Sequence, residues 1–119
     1  MNRIILIGRL TRDPELRYTN DGTAVAGFGL AVDRPWVKDD DQQSADFVNI
    51  VVWRKQAESV ANLMKKGKQV AVEGRLQIRN YENKEGEKRT ATEVVADRVM
   101  FLGKKDDGEF DKQFDDAPF

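Results

Sequence analysis

The chain has 119 residues, of which 39% are hydrophobic and 34% are charged, as expected for one soluble globular domain. It has no cysteine and no histidine, so disulfides, thiol chemistry and thiolate metal sites are excluded, and the usual general base is missing. No apolar run approaches the roughly 18 residues of a membrane span. The apolar N-terminal segment is too short for a signal peptide, and we expect a cytoplasmic protein.

The formal net charge of −1 conceals an uneven distribution along the chain. Residues 106–119 contain six acidic residues and one lysine, which leaves 19 basic and 15 acidic residues in 1–105. A mildly basic body suggests a polyanionic partner, and an acidic tail suggests a different one. The alternative is a solvated body with a tail that only keeps the protein soluble.

The first third of the chain predicts two strands joined through turns. Residues 2–10 are apolar on both strand faces, with Ile5 and Ile7 on the second face. Either another subunit or a loop of the same chain should cover that face. The sequence Asn20-Asp21-Gly22 predicts a tight turn. Residues 23–33 then predict a strand with one large apolar face and one face of small residues, where glycine marks bends or close backbone approaches.

A polar loop at residues 34–45 precedes the third predicted strand at residues 46–54. Trp36 in this loop is either pinned to the domain or is a mobile ring that clamps a base. One face of the strand is aliphatic, and the other carries Phe47 and Trp53 and ends beside cationic residues. Exposed rings near cations form a platform on which unpaired bases stack, and the alternative is a strand buried on both faces.

The second half of the chain predicts a helix and two long strands. Residues 55–66 have one apolar stripe, which predicts a helix that plugs one end of the sheet. Residues 69–82 alternate cleanly. The aliphatic residues Val70, Val72, Leu76 and Ile78 share one face of that strand, whereas Arg75, Arg79 and Tyr81 share the other.

The arginines on that second face suit phosphate and ring contacts, and the alternative is exposed arginines paired with nearby acids. Residues 83–88 predict a charged hairpin loop. Residues 89–102 predict a last strand with a bulge between Val94 and Val99, where the alternation changes phase.

These elements predict an all-β domain at residues 1–103 followed by an acidic tail at 104–119. Five strands with one helix between the third and the fourth match a five-stranded OB-fold barrel. The tail has too little apolar surface to fold and is expected to be disordered.

The chain resembles the bacterial single-stranded DNA-binding proteins. The resemblance runs from Asn2 to Leu102 and includes the extreme C-terminus. The most specific matching stretches are Asn-Arg-Ile-Ile-Leu-Ile-Gly-Arg-Leu-Thr-Arg-Asp-Pro-Glu-Leu-Arg-Tyr (2–18), 47–54, 66–76 and Thr-Glu-Val at 92–94.

The resemblance implies a homotetramer of OB-folds that binds single-stranded DNA without sequence preference, a general picture already established for this class. Its stacking aromatic residues correspond to Trp36, Phe47, Trp53 and Tyr81. The family's acidic C-terminus docks onto DNA-processing enzymes, and its equivalent here is Asp115, Asp116, Ala117, Pro118 and Phe119. Alanine stands at position 117 where the family has a bulky aliphatic residue.

The leading hypothesis is therefore sequence-independent binding and protection of single-stranded DNA in replication, recombination and repair. Under this hypothesis we expect the protein to be cytoplasmic and nucleoid-associated, and we expect its tail to recruit replication and repair proteins. The candidate phosphate contacts are the basic residues Arg3, Arg9, Arg34, Arg54, Lys55, Lys66, Arg75, Arg79 and Lys84.

The competing hypotheses are a primosomal or RNA-binding OB-fold accessory protein and an interaction hub that acts through its tail. We expect no catalytic residues, no cofactor and no metal, since a run such as Asp39-Asp40-Asp41 is more often solvated than catalytic. The sequence is compatible with a copy that serves general replication, natural transformation, a plasmid or a phage.

Overall fold

The computed structural model describes residues 1–34 and 45–102 of the chain. Within them, six strands and one helix follow one another as β1 (Ile4–Leu10), β2 (Glu15–Tyr18), β3 (Ala24–Asp33), β4 (Ala45–Trp53), α1 (Lys55–Leu63), β5 (Gln69–Glu82) and β6 (Lys88–Phe101). The strands form one sheet in the order β1-β5-β6-β4-β3-β2, and β1 also pairs with β3. This second pairing closes the sheet into the predicted barrel.

The structure has one strand more than the sequence predicts. The short β2 pairs antiparallel with the start of β3, from Glu15 opposite Gly27 to Tyr18 opposite Ala24. The sequence pattern does not predict this strand, because four residues are too few for a visible alternation. The single helix still lies between the two long strands that were predicted to flank it, so the architecture is confirmed.

Closure of the barrel depends on a glycine in β1. Arg9 and Leu10 of β1 pair with Ala31 and Leu30 of β3. At Gly8, just before this pairing, any Cβ atom would collide with the backbone carbonyl of Ala31. Only glycine allows two backbones to approach this closely. The glycine thus supplies the contact that turns an open sheet into a closed one.

The core consists of the inward-facing side chains of the strands together with α1. The largest fully buried side chains are Phe28, Leu30, Ile50, Val52, Val60, Val70, Val72 and Val94. Val60 of α1 and Met64, which follows the helix, belong to the same cluster, so the helix covers one end of the barrel as predicted. The helix ends at Leu63 instead of residue 66, and Gly67 at φ 89° belongs to the following turn.

The predicted bulge in β6 lies at Asp97. Glu73 pairs with Arg98 and Gly74 pairs with Ala96, so Asp97 has no partner in the ladder. The side chain of Gln56 in α1 satisfies the backbone there. Its Nε2 donates to the Asp97 carbonyl over 2.7 Å, and its Oε1 accepts from the Val99 N–H over 2.9 Å. The bulge and the helix therefore hold each other in place.

The outer half of the β5–β6 hairpin extends beyond the barrel. The two strands pair as far as Glu82 opposite Lys88, whereas β4 pairs with β6 only from Asn49 to Val51. Leu76 and Ile78 share the inward side with Val70 and Val72 but are exposed, because no further strand within residues 1–34 and 45–102 packs against them. The described residues contain no helix that is long and apolar enough to cross a bilayer, since α1 has only nine residues.

Candidate nucleic-acid interface

The strand registers bring the predicted outward side chains onto one continuous surface. Residues directly opposite each other in a ladder share a face of the sheet. Asn49 of β4 lies opposite Glu93 of β6, which lies opposite Gln77 of β5, and Val51, Val95 and Arg75 form the next row. We call this surface the outer platform; it comprises Phe47, Asn49, Val51, Trp53, Arg75, Gln77, Arg79, Tyr81, Glu93 and Val95.

Three aromatic rings of the outer platform are open to solvent. Phe47 is 75% exposed, Tyr81 is 42% exposed and Trp53 is 40% exposed. The inward residues Ile50 and Val52 of β4 are fully buried. The prediction that this strand has one buried face and one open face is therefore confirmed. Trp36, the fourth predicted ring, lies outside the described residues.

The small outward residues of β3 leave the rings uncovered on their other side. Ala31 lies opposite Phe47, and Gly29 lies opposite Asn49. A Cβ atom at Gly29 would collide with the hydroxyl of Thr11 and press on the guanidinium of Arg12. Arg12 therefore lies over the sheet beside the outer platform. The sequence pattern does not reveal this cation, because its position depends on a contact between residues 17 apart.

The cations predicted to contact phosphate fall into two groups. Arg3 is held by Glu73 and Asp97, with N–O distances of 2.8 and 2.6 Å. The hydrogen bond to Glu73, followed by that to Asp97, raises the pKa of the Arg3 guanidinium. Arg34 pairs with Asp46 over 2.7 Å, which lowers the pKa of that carboxyl. These two arginines are already neutralised by carboxylates within the protomer.

The second group has no ion pair within the parts of the chain that the structure describes. Its members are exposed on β1, β5, the turns and the first residue of α1. Arg9 donates to the Gly67 carbonyl over 3.1 Å, and Arg75 donates to the Gln77 side chain over 3.4 Å. This group consists of Arg9, Arg54, Lys55, Lys66, Arg75 and Lys84.

Arg54 connects the outer platform to α1 through a strained backbone. Its φ of 65° lies in the left-handed region that favours glycine, and its N–H donates to the Ala24 carbonyl over 2.8 Å. Such a conformation costs roughly 1–3 kcal/mol and often occurs at binding sites. The turn places Trp53 at the end of β4 and starts the helix at Lys55 without a side-chain cap.

Arg79 is paired with a carboxylate like the first group, but it also contacts an aromatic ring. Its Nε lies 3.2 Å from Oε1 of Glu93, and its guanidinium carbon lies 5.4 Å from the centre of the Tyr81 ring. The sequence left open whether the arginines of β5 pair with acids. Arg79 does so, and Arg75 does not within residues 1–34 and 45–102.

No group of three or more carboxylates within residues 1–34 and 45–102 is placed to hold a metal ion. The Asp39-Asp40-Asp41 run and the C-terminal segment from Asp115 to Phe119 lie outside the described residues. The outer platform thus offers rings, guanidinium groups and ammonium groups, which are suited to binding a polyanion with exposed bases.

Comparison with known proteins agrees with this geometry. The sequence profile of the single-strand binding protein family matches residues 1–102, which include all the residues that the structure describes. The chain belongs to the single-strand binding protein family. The family assignment covers every residue of the outer platform.

Relatives extend the family match to individual proteins. The single-stranded DNA-binding protein of Halalkalibacterium halodurans is 58% identical over 102 residues, which cover 86% of this chain and 61% of that protein. The protein of the same name from Bacillus cereus is 52% identical over 124 residues, which cover this chain fully and 73% of that protein. The family member described here thus spans about three fifths to three quarters of these relatives.

A solved structure supports the fold of this family member. A deletion mutant of the single-stranded DNA-binding protein from Thermus aquaticus superposes with a TM-score of 0.68 at 37% identity. The match covers 88% of this chain and 42% of the Thermus chain. The predicted OB-fold barrel is confirmed by this likeness together with the closed sheet.

Proposed function

We propose that this chain binds single-stranded DNA without sequence preference across the outer platform. The observation that carries the proposal is the exposure of Phe47, Trp53 and Tyr81 on one face of the sheet, next to cations. Aromatic rings accept any base, because every base has a flat π-face. Membership of the family and the names of the relatives support the same ligand.

The basic body supports an electrostatic contribution to this binding. Residues 1–105 carry four more basic than acidic residues, and Arg75 and Lys55 have no carboxylate partner in the described ranges. Each phosphate that such a cation neutralises releases counterions, so affinity should fall as salt rises. Binding therefore combines a sequence-tolerant stacking term with a salt-dependent phosphate term.

The direct test is a fluorescence titration of the full chain with poly(dT) at two salt concentrations. Stacking of bases on Trp53 should quench the tryptophan fluorescence, and the apparent affinity should decrease at the higher salt. Unquenched fluorescence, together with unchanged anisotropy of a labelled oligothymidylate, would refute the proposal. Parallel titrations with RNA and duplex DNA test the accessory-protein alternative, which predicts that RNA binds at least as tightly as single-stranded DNA.

The proposal includes a homotetramer, in line with the family, and β1 provides its supporting observation. Ile5 and Ile7 are exposed on the outer face of β1. One edge of β1 pairs with β5, and the other edge pairs with β3 only at Arg9 and Leu10. Before Arg9, this second edge has no strand partner among the described residues. Exposed apolar side chains on an open strand edge favour pairing with another chain.

Measurement of the assembly mass tests this part of the proposal. The wild-type chain should have the mass of four protomers, and Ile7→Asp should yield smaller species because it places a charge in the apolar contact. A wild-type monomer would refute the assembly. The same mass for Ile7→Asp and the wild type would remove β1 from the interface.

Recruitment of DNA-processing enzymes through Asp115, Asp116, Ala117, Pro118 and Phe119 stays a prediction from the sequence, as does a role in replication, recombination and repair. Deletion of these five residues should abolish enzyme recruitment and leave DNA affinity unchanged or slightly higher. Recruitment that persists after the deletion would contradict the prediction.

A further inference from the structure

One carboxylate lies in the middle of the outer platform. Glu93 of β6 is only 9% exposed and has Asn49 of β4 on one side and Gln77 of β5 on the other. A negative charge in this position repels a phosphate backbone. The contact of Glu93 with Arg79 indicates a role for this carboxylate that offsets its repulsion of phosphate.

Glu93 holds the guanidinium of Arg79 in a fixed orientation. Its Oε1 accepts a hydrogen bond from Arg79 Nε over 3.2 Å. The guanidinium carbon of Arg79 lies 5.4 Å from the centre of the Tyr81 ring, two residues further along β5 on the same face. Arginine is planar and donates from a rigid fork, so a partner at one edge and a ring beneath it fix the plane.

We propose that Arg79 binds DNA as a base-stacking residue and not as a phosphate contact, and that Glu93 is the positioning residue that sets its plane. This inference rests on the proposed single-stranded DNA function. The Arg79 guanidinium is half exposed, so an unpaired base can lie on it beside Tyr81. Its charge is already neutralised by Glu93, so it neutralises no phosphate and releases no counterion when DNA binds.

Arg75 provides the matched control on the same strand and the same face. It lies four residues before Arg79, and its Nη2 donates over 3.4 Å to the neutral side chain of Gln77. It has no carboxylate partner within residues 1–34 and 45–102. Its charge is therefore available to a phosphate, and the two arginines should differ in their effect on salt dependence.

The experiment measures the affinity of the full chain for a labelled oligothymidylate over a series of NaCl concentrations. Arg75→Gln should make the slope of log K against log salt shallower by about 0.7, the value for one phosphate on a single strand. Arg79→Gln should reduce affinity roughly fivefold to tenfold with an unchanged slope. Arg79→Lys should also weaken binding several-fold, because lysine keeps the charge opposite Glu93 but has no plane to stack on.

Glu93→Gln tests the positioning role directly. This near-isosteric change frees Arg79 to bind a phosphate, so the slope should become steeper by about 0.7. Arg79→Gln made in that background should then restore the wild-type slope. The melting temperature of each variant, measured without DNA, should stay close to that of the wild type, so that differences in affinity do not arise from unfolding.

The inference is overturned if Arg79→Gln lowers the salt slope as Arg75→Gln does, or if Arg79→Lys retains wild-type affinity. An unchanged slope for folded Glu93→Gln would equally overturn it. In each case the wild-type chain still binds, and the proposed function stands. A wild-type chain that does not bind the oligothymidylate would overturn both the proposed function and this inference.

Discussion

The two faces of β4 differ sharply in exposure to solvent, although their residues alternate along one strand. Ile50 on the inner face is 1% exposed, whereas Phe47 on the outer face is 75% exposed. The inner residues contact the core of the barrel, and the outer residues lie between the outward side chains of β3 and those of Glu93 and Val95 in β6. One strand therefore supplies both the stability of the domain and its candidate binding surface.

The difference in burial predicts that folding and binding are separable in this chain. A strand projects successive side chains to opposite sides, so neighbouring residues contribute to different free energies. Inner substitutions should change the free energy of unfolding, and outer substitutions should change the free energy of DNA binding. Four predictions test this separation, in descending order of expected effect.

The largest expected effect comes from truncation of an inner residue. Ile50→Ala should lower the free energy of unfolding by about 2–5 kcal/mol, because it removes buried apolar atoms and leaves a cavity. Urea denaturation measures the change. Ile78→Ala is the matched control, since the same side chain is 63% exposed there and should cost far less. Similar losses at the two positions would contradict the division into faces.

The second prediction concerns an outer ring. Trp53→Ala should weaken binding to a labelled oligothymidylate by about 1–3 kcal/mol, because a stacking partner is lost. The melting temperature without DNA should change little. Leu63→Ala is the control, because it truncates another exposed apolar side chain, on α1. A loss of affinity in Leu63→Ala equal to that in Trp53→Ala would remove the special role of the ring.

The third prediction concerns the bulge that switches the faces of β6. Gln56→Ala should lower the free energy of unfolding by about 1–2 kcal/mol, since the Asp97 carbonyl and the Val99 N–H lose their side-chain partner. Thermal and urea denaturation measure the change. Asn62→Ala, an exposed position of the same helix, is the control. Equal stability of Gln56→Ala and the wild type would mean that the bulge does not need the helix.

The smallest effect is expected at the exposed pair of Arg34 and Asp46. The hydrogen bond from Arg34 lowers the pKa of Asp46 in the folded protein. A depressed folded pKa stabilises above the unfolded value near 4, and this stabilisation is lost as pH falls through the folded pKa. The melting temperature of the wild type should therefore exceed that of Asp46→Asn at pH 6 by more than at pH 2–3. A pH-independent difference would contradict this assignment.

Much of the barrel could be predicted from local patterns. The alternation in residues 46–54 separated Ile50 from Phe47 correctly, and the phase change before Val99 located the bulge. These features were predictable because a strand has a fixed period of two. The same pattern placed Ile78 with Val72 on one face. It could not show that β5 and β6 extend beyond the end of their pairing with β4, and this extension leaves Ile78 exposed.

The sequence by itself determined which side chains share a face, since that depends only on backbone geometry within one strand. The tertiary structure alone decided which cations are free, because Arg3, Arg34 and Arg79 meet carboxylates 12 to 94 residues away in the chain. It also brought Arg12 over Gly29 and set Glu93 between two other strands. Charge pairing depends on distances in space, and these arise only when the sheet closes.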